Sequence, residues 1–359
     1  MDVLSDALRE LGSTSRRLLE RAARTSPVPP AFGVPAELDR ELWSALAELG
    51  LLGLAVPEEL GGSGGGVTEL CVLAEQVGAA LPAVPFAGTA AVAAVLVAGL
   101  DDGTDDGVAR QVLADLVKGT LVVAPAWETF PAQVVPGRRT ALRVSDGRVD
   151  GALAAVPFGR AADLVLAFAE PLTAVLLDTR RDGVQTRAVE SLDVREPVAA
   201  VTAQGVAAPL VRIAAFPAAQ IQVALAAELV GTAQRALDGA VAYAKDRRQF
   251  GRPIGSFQAL KHLLADRHVQ LDAARMLVHA AAELIDAGES SAAAATTALV
   301  AACDAADVTT GDALQVHGGI GFTWEHPSHV YLRRARARRV LLGSQARQLD
   351  GLAQLLLGR

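Results

Sequence analysis

Two arginines, an aromatic residue and a glutamine lie close together at residues 243–258, YAKDRRQFGRPIGSFQ. Arg247 and Arg248 could each bind phosphate oxygens through two parallel hydrogen bonds. Phe250 would add a flat apolar face, and the Gln258 amide could donate and accept hydrogen bonds. This combination is typical of a site for a phosphate-bearing ligand. Because the helix dipole favours basic side chains at any helix C-terminus, a charged helix end is the alternative interpretation.

Other site chemistries find little support in the sequence. The glycine-rich stretch at residues 61–66 is not followed by Lys-Ser/Thr, so we interpret it as a turn and not as a phosphate-binding loop. The six histidines show no His-Glu-x-x-His spacing, and no metal site is predicted. Cys71 and Cys303 lie in apolar helical contexts, which indicates buried thiols in a reducing compartment.

The composition favours helix over sheet and argues against two classes of partner. The chain has 359 residues, enough for two or three domains, and is 51% hydrophobic but only 4% aromatic, since Ala and Leu dominate. A net charge of −7 gives no support for nucleic-acid binding. No clean apolar run is long enough to span a bilayer, and the N-terminus does not resemble a signal peptide. We therefore expect a cytoplasmic protein.

Hydrophobic periodicity predicts a helical first region and a β second region. Residues 1–118 form the first, with helices at residues 36–50, 67–80, 82–100 and 108–118. Residues 119–213 alternate with period two and are rich in Val and Thr. Turn signals there are Pro136-Gly137, Asp146-Gly147 and Asp182-Gly183. We expect a β domain, as a small barrel or sandwich.

Residues 214–359 return to helical periodicity. Helices are predicted at residues 217–247, 257–287, 290–317 and 331–357, which suit a four-helix bundle with faces left for an oligomer interface. The basic stretch at 243–258 falls at the corner between the first two of these helices. The predicted fold class is thus mostly α, with an N-terminal α-helical domain, a middle β-barrel domain and a C-terminal four-helix bundle.

Three motifs in this order resemble the acyl-CoA dehydrogenase family over nearly the whole chain. The first is RRQFGRPIGSFQ on the leading bundle helices. The second, QVHGGIGFTWEHPSHVYLRRA at residues 315–335, is similar to the family's Q-x-x-G-G-x-G-F segment. The third, LGLLGLAVPEELGGSG at residues 49–64, resembles the family's N-terminal domain motif.

The resemblance implies FAD at a dimer interface, an acyl thioester substrate carried on CoA or an acyl carrier, and an acceptor such as an electron-transfer flavoprotein. In the family one subunit's β domain cradles the flavin ring, while the neighbour's bundle holds the pyrophosphate and adenosine side. The residues of this chain that match the nucleotide side are Arg247, Phe250, Gln258, Gln315, Gly318 and Gly319. His317 and Trp324 are expected to be loop and packing residues.

The family's catalytic base does not carry over. The resemblance places the usual glutamate at Leu342 and the alternative position at Ile221, and neither side chain accepts a proton. No catalytic residue is therefore assigned. Glu228, two helical turns beyond Ile221, is either a displaced base about 10 Å away or a structural carboxylate.

Residues expected around this chain's own flavin ring also depart from the family. Gln222 stands where an arginine is common, and Glu128-Thr129 lacks the Thr-Glu-Pro order. Ala155-Val156-Pro157 replaces Trp-Ile-Thr, and Pro157 has no N–H to donate to a flavin carbonyl. The half-site for a partner's flavin is present, whereas the half-site for the chain's own flavin is not.

Three hypotheses follow from this asymmetry. The first is a subunit of a heteromer, resembling actinobacterial α2β2 acyl-CoA dehydrogenases in which one kind of subunit supplies the glutamate. The second is a homodimeric flavoenzyme with another base or reaction. The third is a flavin-free structural or acyl-thioester-binding homologue.

Overall fold

The computed structural model describes residues 5–25, 34–100, 107–135 and 142–357. Helices precede and follow a central β region in the order that the sequence predicts. The predicted turn at Pro136-Gly137 lies outside the described residues. Residues 101–106, the greater part of an acidic stretch, lie outside them as well.

The N-terminal region is helical, as predicted. Its helices are α1 (Asp6–Thr25), α2 (Arg40–Glu48), α3 (Val67–Ala80), α4 (Phe86–Leu100) and α5 (Val108–Val117). The predicted helix over residues 36–50 is shorter in the structure because Asp39 caps it by accepting from the Leu42 N–H at 2.9 Å. The helix predicted from residue 82 begins only at Phe86, directly after Pro85.

The glycine-rich stretch at residues 61–66 is a hydrogen-bonded turn. The N–H groups of Gly62, Gly64 and Gly65 donate to the carbonyls of Pro57, Val56 and Leu54. These N–H groups are satisfied within the chain, which agrees with the interpretation of the stretch as a turn.

The central region forms two four-stranded sheets. One has the order β1 (Val123–Pro125), β4 (Leu164–Glu170), β5 (Thr173–Asp178), β8 (Leu210–Arg212), and the other β2 (Leu142–Ser145), β3 (Arg148–Pro157), β7 (Val198–Ala207), β6 (Val184–Val189). Only β1 and β4 pair in parallel among these strands. Asp146 and Gly147, both at positive φ, form the predicted hairpin turn between β2 and β3. The strand segments that the sequence predicts, at residues 121–127, 140–145, 148–153, 164–169, 173–179 and 199–206, include neither β6 nor β8.

Five helices follow the sheets, where the sequence predicted four. They are α6 (Ala218–Asp246), α7 (Gln258–Asp286), α8 (Ala292–His317), α9 (Ser328–Leu341) and α10 (Gln345–Leu357). The prediction of one helix over residues 331–357 was wrong. Gly343 adopts a φ of 84°, a left-handed conformation that ends α9 and separates it from α10.

One hydrophobic core runs through all three regions. It includes Leu73 of α3, Phe168 of β4 and Val230 of α6. Secondary structure changes type between Val117 and Val123 and again between Arg212 and Ala218. The domain limits at 118/119 and 213/214 stay predictions, because a shared core does not by itself delimit domains.

Helix α8 with its following turn, Ala292–Phe322, is long and apolar enough to cross a membrane by composition, but 56% of its most apolar window is buried within the protein. It packs against α6, α7 and α9. Its hydropathy is that of the central helix of a bundle.

Helices α3 and α6 cross at very close range. A Cβ on Gly231 would come within 1.8 Å of the Glu75 carbonyl oxygen, and one on Gly78 within 1.9 Å of the Glu228 carbonyl oxygen. The Thr232 hydroxyl of α6 also donates to the Gly78 carbonyl at 3.1 Å. Glycine is therefore required at both positions of the crossing.

We expect Gly231→Ala to destabilise the protein by at least about 1–3 kcal/mol, the usual cost of overpacking, in urea unfolding. Gly239→Ala is the matched control in the same helix, because no atom lies within 4 Å of a Cβ there. That control should gain about 0.5–1 kcal/mol from helix propensity. Equal effects of the two substitutions would contradict the close crossing.

Candidate functional site

The basic stretch forms a tight hairpin between α6 and α7. Strand β9 (Arg248–Gln249) pairs antiparallel with β10 (Arg252–Pro253). Arg247 caps the C-terminus of α6, and its carbonyl accepts the Ile254 N–H at 2.8 Å. The chain thus turns back on itself directly beside Arg247, and the corner that the sequence predicted is a two-stranded hairpin.

Phe250 lies at the tip of this hairpin and is 91% exposed. Its φ is 53°, a left-handed conformation that is rare and costly for a bulky side chain. The nearest aromatic neighbour is Phe257, with ring centroids 6.2 Å apart. An exposed aromatic ring held in a strained turn is the kind of feature that is found where a protein contacts a ligand.

The second motif lies at the same end of the bundle. Gly318 ends α8 at a φ of 63°, and a Cβ on either Gly318 or Gly319 would have no atom within 4 Å. The Tyr243 ring contacts the His317 ring at a centroid distance of 4.8 Å. A small apolar cluster that includes Ala244 and Ala313 joins α6 to α8 there. The two motifs, far apart in sequence, therefore lie at one corner of the bundle. We call this corner the nucleotide corner, after the ligand that the sequence resemblance implies. Its residues are Arg247, Phe250, Gln258, Gln315, Gly318 and Gly319.

The arginine side chains and the glycine backbone at the nucleotide corner are accessible to a ligand. Among the described residues neither Arg247 nor Arg248 forms an ion pair, and both side chains are exposed. Gln258 and Gln315 are exposed as well. Gly318 and Gly319 leave open space above their backbone, so a ligand could approach the backbone closely there.

His317 is held by the helix that it ends. Its Nδ1 lies 2.7 Å from the Ala313 carbonyl oxygen, the geometry of an N–H donor, and its ring stacks between Tyr243 and His326. Such a ring supports the corner structurally. Trp324 lies against His329 and beneath the Arg333 guanidinium, in agreement with the packing role that the sequence suggested.

The two positions at which the sequence resemblance places a base, Leu342 and Ile221, are interior and apolar. Leu342 is 0% exposed, and its carbonyl accepts from the Gln348 side-chain amide at 3.1 Å. Ile221 is buried near the start of α6. No carboxylate occupies either position, so neither can remove a proton from a substrate.

Glu228 belongs to a buried cluster of charges. Its carboxylate accepts from Arg334 at 2.5 Å and from Arg338 at 3.1 Å. Arg338 also forks onto Glu196 at 2.7 and 2.8 Å, and Arg334 pairs with Asp193. We call these five residues the buried ion cluster. This cluster joins α6, α9 and the segment between β6 and β7. No motif in the sequence predicts these contacts.

Glu228 is poorly suited to accept a proton. Burial alone would raise the pKa of this carboxyl, but the guanidiniums of Arg338 and Arg334 outweigh it and hold the pKa below its ordinary value of 4.5. All of its acceptor capacity points at these arginines. Of the two interpretations of Glu228, the structure supports the structural carboxylate.

A cavity of about 630 Å³ lies at the opposite end of the bundle. Small side chains such as Ala218, Ala219 and Ala292 line much of it. Gln222 lies in its wall and donates to the Gln133 carbonyl at 2.6 Å. Gln222 and Arg247 are separated along α6 by roughly 37 Å, at 1.5 Å per residue. The cavity and the nucleotide corner therefore lie at opposite ends of α6.

Comparisons with known proteins agree on one family. The acyl-CoA dehydrogenase N-terminal domain matches residues 6–120, and the acyl-CoA dehydrogenase C-terminal domain matches residues 218–357. Acyl-CoA dehydrogenase IpdE2 of Mycobacterium tuberculosis is 33% identical over 93% of this chain and 92% of its own length. The chain belongs to the acyl-CoA dehydrogenase family. Members of this family bind FAD.

Other relatives share the fold over nearly the full chain. One is a Tcur3481-Tcur3483 steroid ACAD variant, with TM-score 0.84 and 30% identity over 98% of both chains. Another belongs to the ChsE4-ChsE5 complex from Mycobacterium tuberculosis, with TM-score 0.82 and 25% identity over the whole of both chains. Acyl-CoA dehydrogenase FadE34 of that organism is 37% identical over 89% of this chain, but the chain spans only 42% of FadE34. The family resemblance of the three motifs, and the fold it implied, are confirmed.

We expect Glu228→Gln to destabilise the fold by about 3–5 kcal/mol at neutral pH, because it leaves two buried guanidiniums short of a charge partner. The pKa of Glu228 is lower in the folded than in the unfolded state, so its contribution is complete above the ordinary value of 4.5 and is lost as pH falls further. The stability difference between wild type and variant should therefore shrink in acid.

Urea unfolding at a series of pH values measures this difference. Glu190→Gln is the control, since Glu190 is exposed and should change stability by less than about 0.5 kcal/mol. A Glu228→Gln variant as stable as wild type at neutral pH would show that the carboxylate has no structural role.

Proposed function

We propose that this chain is the subunit of a heteromeric acyl-CoA dehydrogenase that lacks the base and completes the FAD site of a catalytic partner of the same fold. The observation that carries the proposal is the pairing of an open nucleotide corner with apolar residues at both base positions. If the chain took no part in flavin chemistry, the open nucleotide corner would have no function.

The separation of the two sites along α6 supports a partner. The nucleotide corner lies roughly 37 Å from the chain's own cavity, at 1.5 Å of helix rise per residue. On the proposed arrangement, a flavin whose phosphates bind at the corner has its ring outside this chain. A second subunit that presents its β region to the corner would supply that seat.

Each residue of the corner has a role in this arrangement. Arg247 would fork onto the pyrophosphate, and the Phe250 ring would cover an apolar face of the nucleotide. The N–H groups near Gly318 and Gly319 would approach the ligand without a Cβ between them. Gln258 and Gln315 would bond its polar atoms. FAD, when bound, would supply the hydride acceptor for this family's reaction, and a carboxylate of the partner subunit would remove the α-proton of the acyl group.

Two of the similar structures carry paired names, Tcur3481-Tcur3483 and the ChsE4-ChsE5 complex, which fits an assembly of two unlike subunits. On this proposal the substrate is an acyl thioester of CoA or an acyl carrier, and electrons leave to an electron-transfer flavoprotein or a similar acceptor. A cytoplasmic location remains a prediction.

Co-expression with an acyl-CoA dehydrogenase chain of the same genome that carries the catalytic glutamate tests the proposal. We expect the two chains to co-purify with absorbance near 450 nm, and this chain to be colourless by itself. Oxidation of an acyl-CoA by the chain alone would instead favour a homodimeric enzyme. A pair that fails to take up FAD would favour the flavin-free alternative.

Arg247→Ala should weaken FAD binding to the co-purified pair by about 10- to 100-fold, the equivalent of one charge-assisted hydrogen bond to phosphate. Dialysis followed by the ratio of 450 nm to 280 nm absorbance measures the FAD retained. Arg187→Ala on β6 is the control, since Arg187 is exposed and remote in sequence from the corner. Full flavin content in Arg247→Ala would refute the role of the corner.

A further inference from the structure

We propose that the Glu128 carboxylate occupies the place of a flavin carbonyl on strand β3, so that this chain's own β region is closed to a flavin ring. The proposal rests on the proposed function, in which the flavin ring sits in the partner. It adds a physical reason why the ring does not also bind here.

Glu128 lies on a short turn, Trp127–Thr129, that follows β1. Its Oε1 accepts the N–H of Ala154 at 2.5 Å and that of Ala155 at 3.3 Å. Ala155 begins the segment that replaces the family's Trp-Ile-Thr motif, the part of the strand that touches flavin in the family. A carboxylate oxygen thus takes donors at the place where a flavin carbonyl would bind.

These two donors are available because the ladder is interrupted at this point. The register between β3 and β7 shifts between Leu153 and Val156, which leaves Ala154 and Ala155 unpaired on that side. Both alanines are exposed. Without Glu128 this would be an open pair of N–H groups, which suits an anionic or carbonyl oxygen.

The turn that carries Glu128 is anchored in the core. The Thr129 hydroxyl accepts the Phe168 N–H at 2.9 Å and donates to the Ala126 carbonyl at 2.7 Å. Trp127 and Phe130 on either side are buried and in ring contact at 4.8 Å. Because its neighbours are fixed, the carboxylate has little freedom to swing away from β3.

The following residues of β3 offer no substitute donor. Val156 lies in the ladder opposite Ala199, and Pro157 has no N–H. The Phe158 N–H donates to the Pro197 carbonyl at 2.6 Å. From Ala154 to Phe158 every N–H of the strand therefore has a partner or a place in the ladder. The residues present do not fit a flavin ring.

Lumiflavin, a flavin ring without phosphates, is the probe, because it cannot use the nucleotide corner. With the full chain alone, wild type should show no saturable quenching of lumiflavin fluorescence. Glu128→Ala frees both N–H groups and should bind at least about tenfold more tightly than the limit set by wild type. Glu128→Gln keeps an oxygen acceptor for the two N–H groups and, like wild type, should show no saturable lumiflavin binding. Glu190→Ala, an exposed carboxylate elsewhere, is the control.

Saturable binding by wild type, or none by Glu128→Ala, would overturn the proposal. Equal binding by Glu128→Ala and Glu128→Gln would overturn the role of the acceptor oxygen. Thermal melting establishes that folded variants are compared, and Glu128→Ser provides a second shortened side chain.

A measurement on wild type needs no variant. Amide exchange at Ala154 and Ala155 should be slow and unaffected by excess lumiflavin, and further protection on adding it would contradict the proposal. All of these measurements use the chain alone. Their outcome is therefore independent of co-purification with a partner, which is the test of the proposed function.

Discussion

The pairing of Glu228 with Arg334 and Arg338 is the interaction on which the two ends of α9 depend. Each of these charges would cost several kcal/mol to bury alone, so the group is stable only when all members are in place. Arg338 forks onto Glu196 and Arg334 reaches Asp193, which ties α9 to the β region as well as to α6. The glycine turn at Gly318–Phe322 precedes α9, and Leu342 follows it. Fixing α9 therefore fixes the support of the nucleotide corner and the position that a base would occupy.

The long helix α6 connects the cavity at one end of the bundle with the nucleotide corner at the other. Helix α6 reaches from the wall of the cavity at Gln222 to the cap at Arg247, and it crosses α3 through Gly78 and Gly231 with almost no space between the backbones. A close crossing of this kind resists sliding, because any shift brings backbone atoms into collision. The distance between the two ends of α6 is thus a rigid property of the fold. One chain can offer its corner to a neighbour while its own cavity faces elsewhere.

The sequence predicted the features that depend on local patterns. Val67–Ala80 was predicted to the residue because Gly66 precedes it and Pro82 follows shortly after its last residue. Strand β6 was missed because half of VQTRAV is polar and none of its residues is buried, and β8 is only three residues long. Gly343 was the available signal for the break between α9 and α10, but the apolar pattern on both sides concealed it.

Contacts between residues far apart in the chain could not be predicted from local sequence patterns. Glu228 and Arg338 are 110 residues apart, and in sequence both resemble solvated helix charges. The four-residue spacing of Arg334 and Arg338, which puts both on one face of α9, was the one hint that they act together. Arg247, Phe250 and Gln258 were predicted from residue type and spacing, whereas Gln315, Gly318 and Gly319 were assigned only through resemblance to a family. The structure adds that both motifs share one corner.

The proposed heteromer subunit and a decaying enzyme predict different structural surroundings for the residues that replace the family's site residues. Random decay would place polar, small or charged replacements at functional positions without regard to packing. Here Leu342 is completely buried and its carbonyl is hydrogen-bonded, while Glu128 satisfies two N–H groups that a bulge leaves free. Both positions are integrated into the fold as structural elements. The strained, exposed Phe250, by contrast, contributes little to this chain's own packing and costs it conformational energy. A chain that stabilises one half-site as structure and keeps strain in the other has the properties expected of a protein whose flavin contacts serve a second subunit.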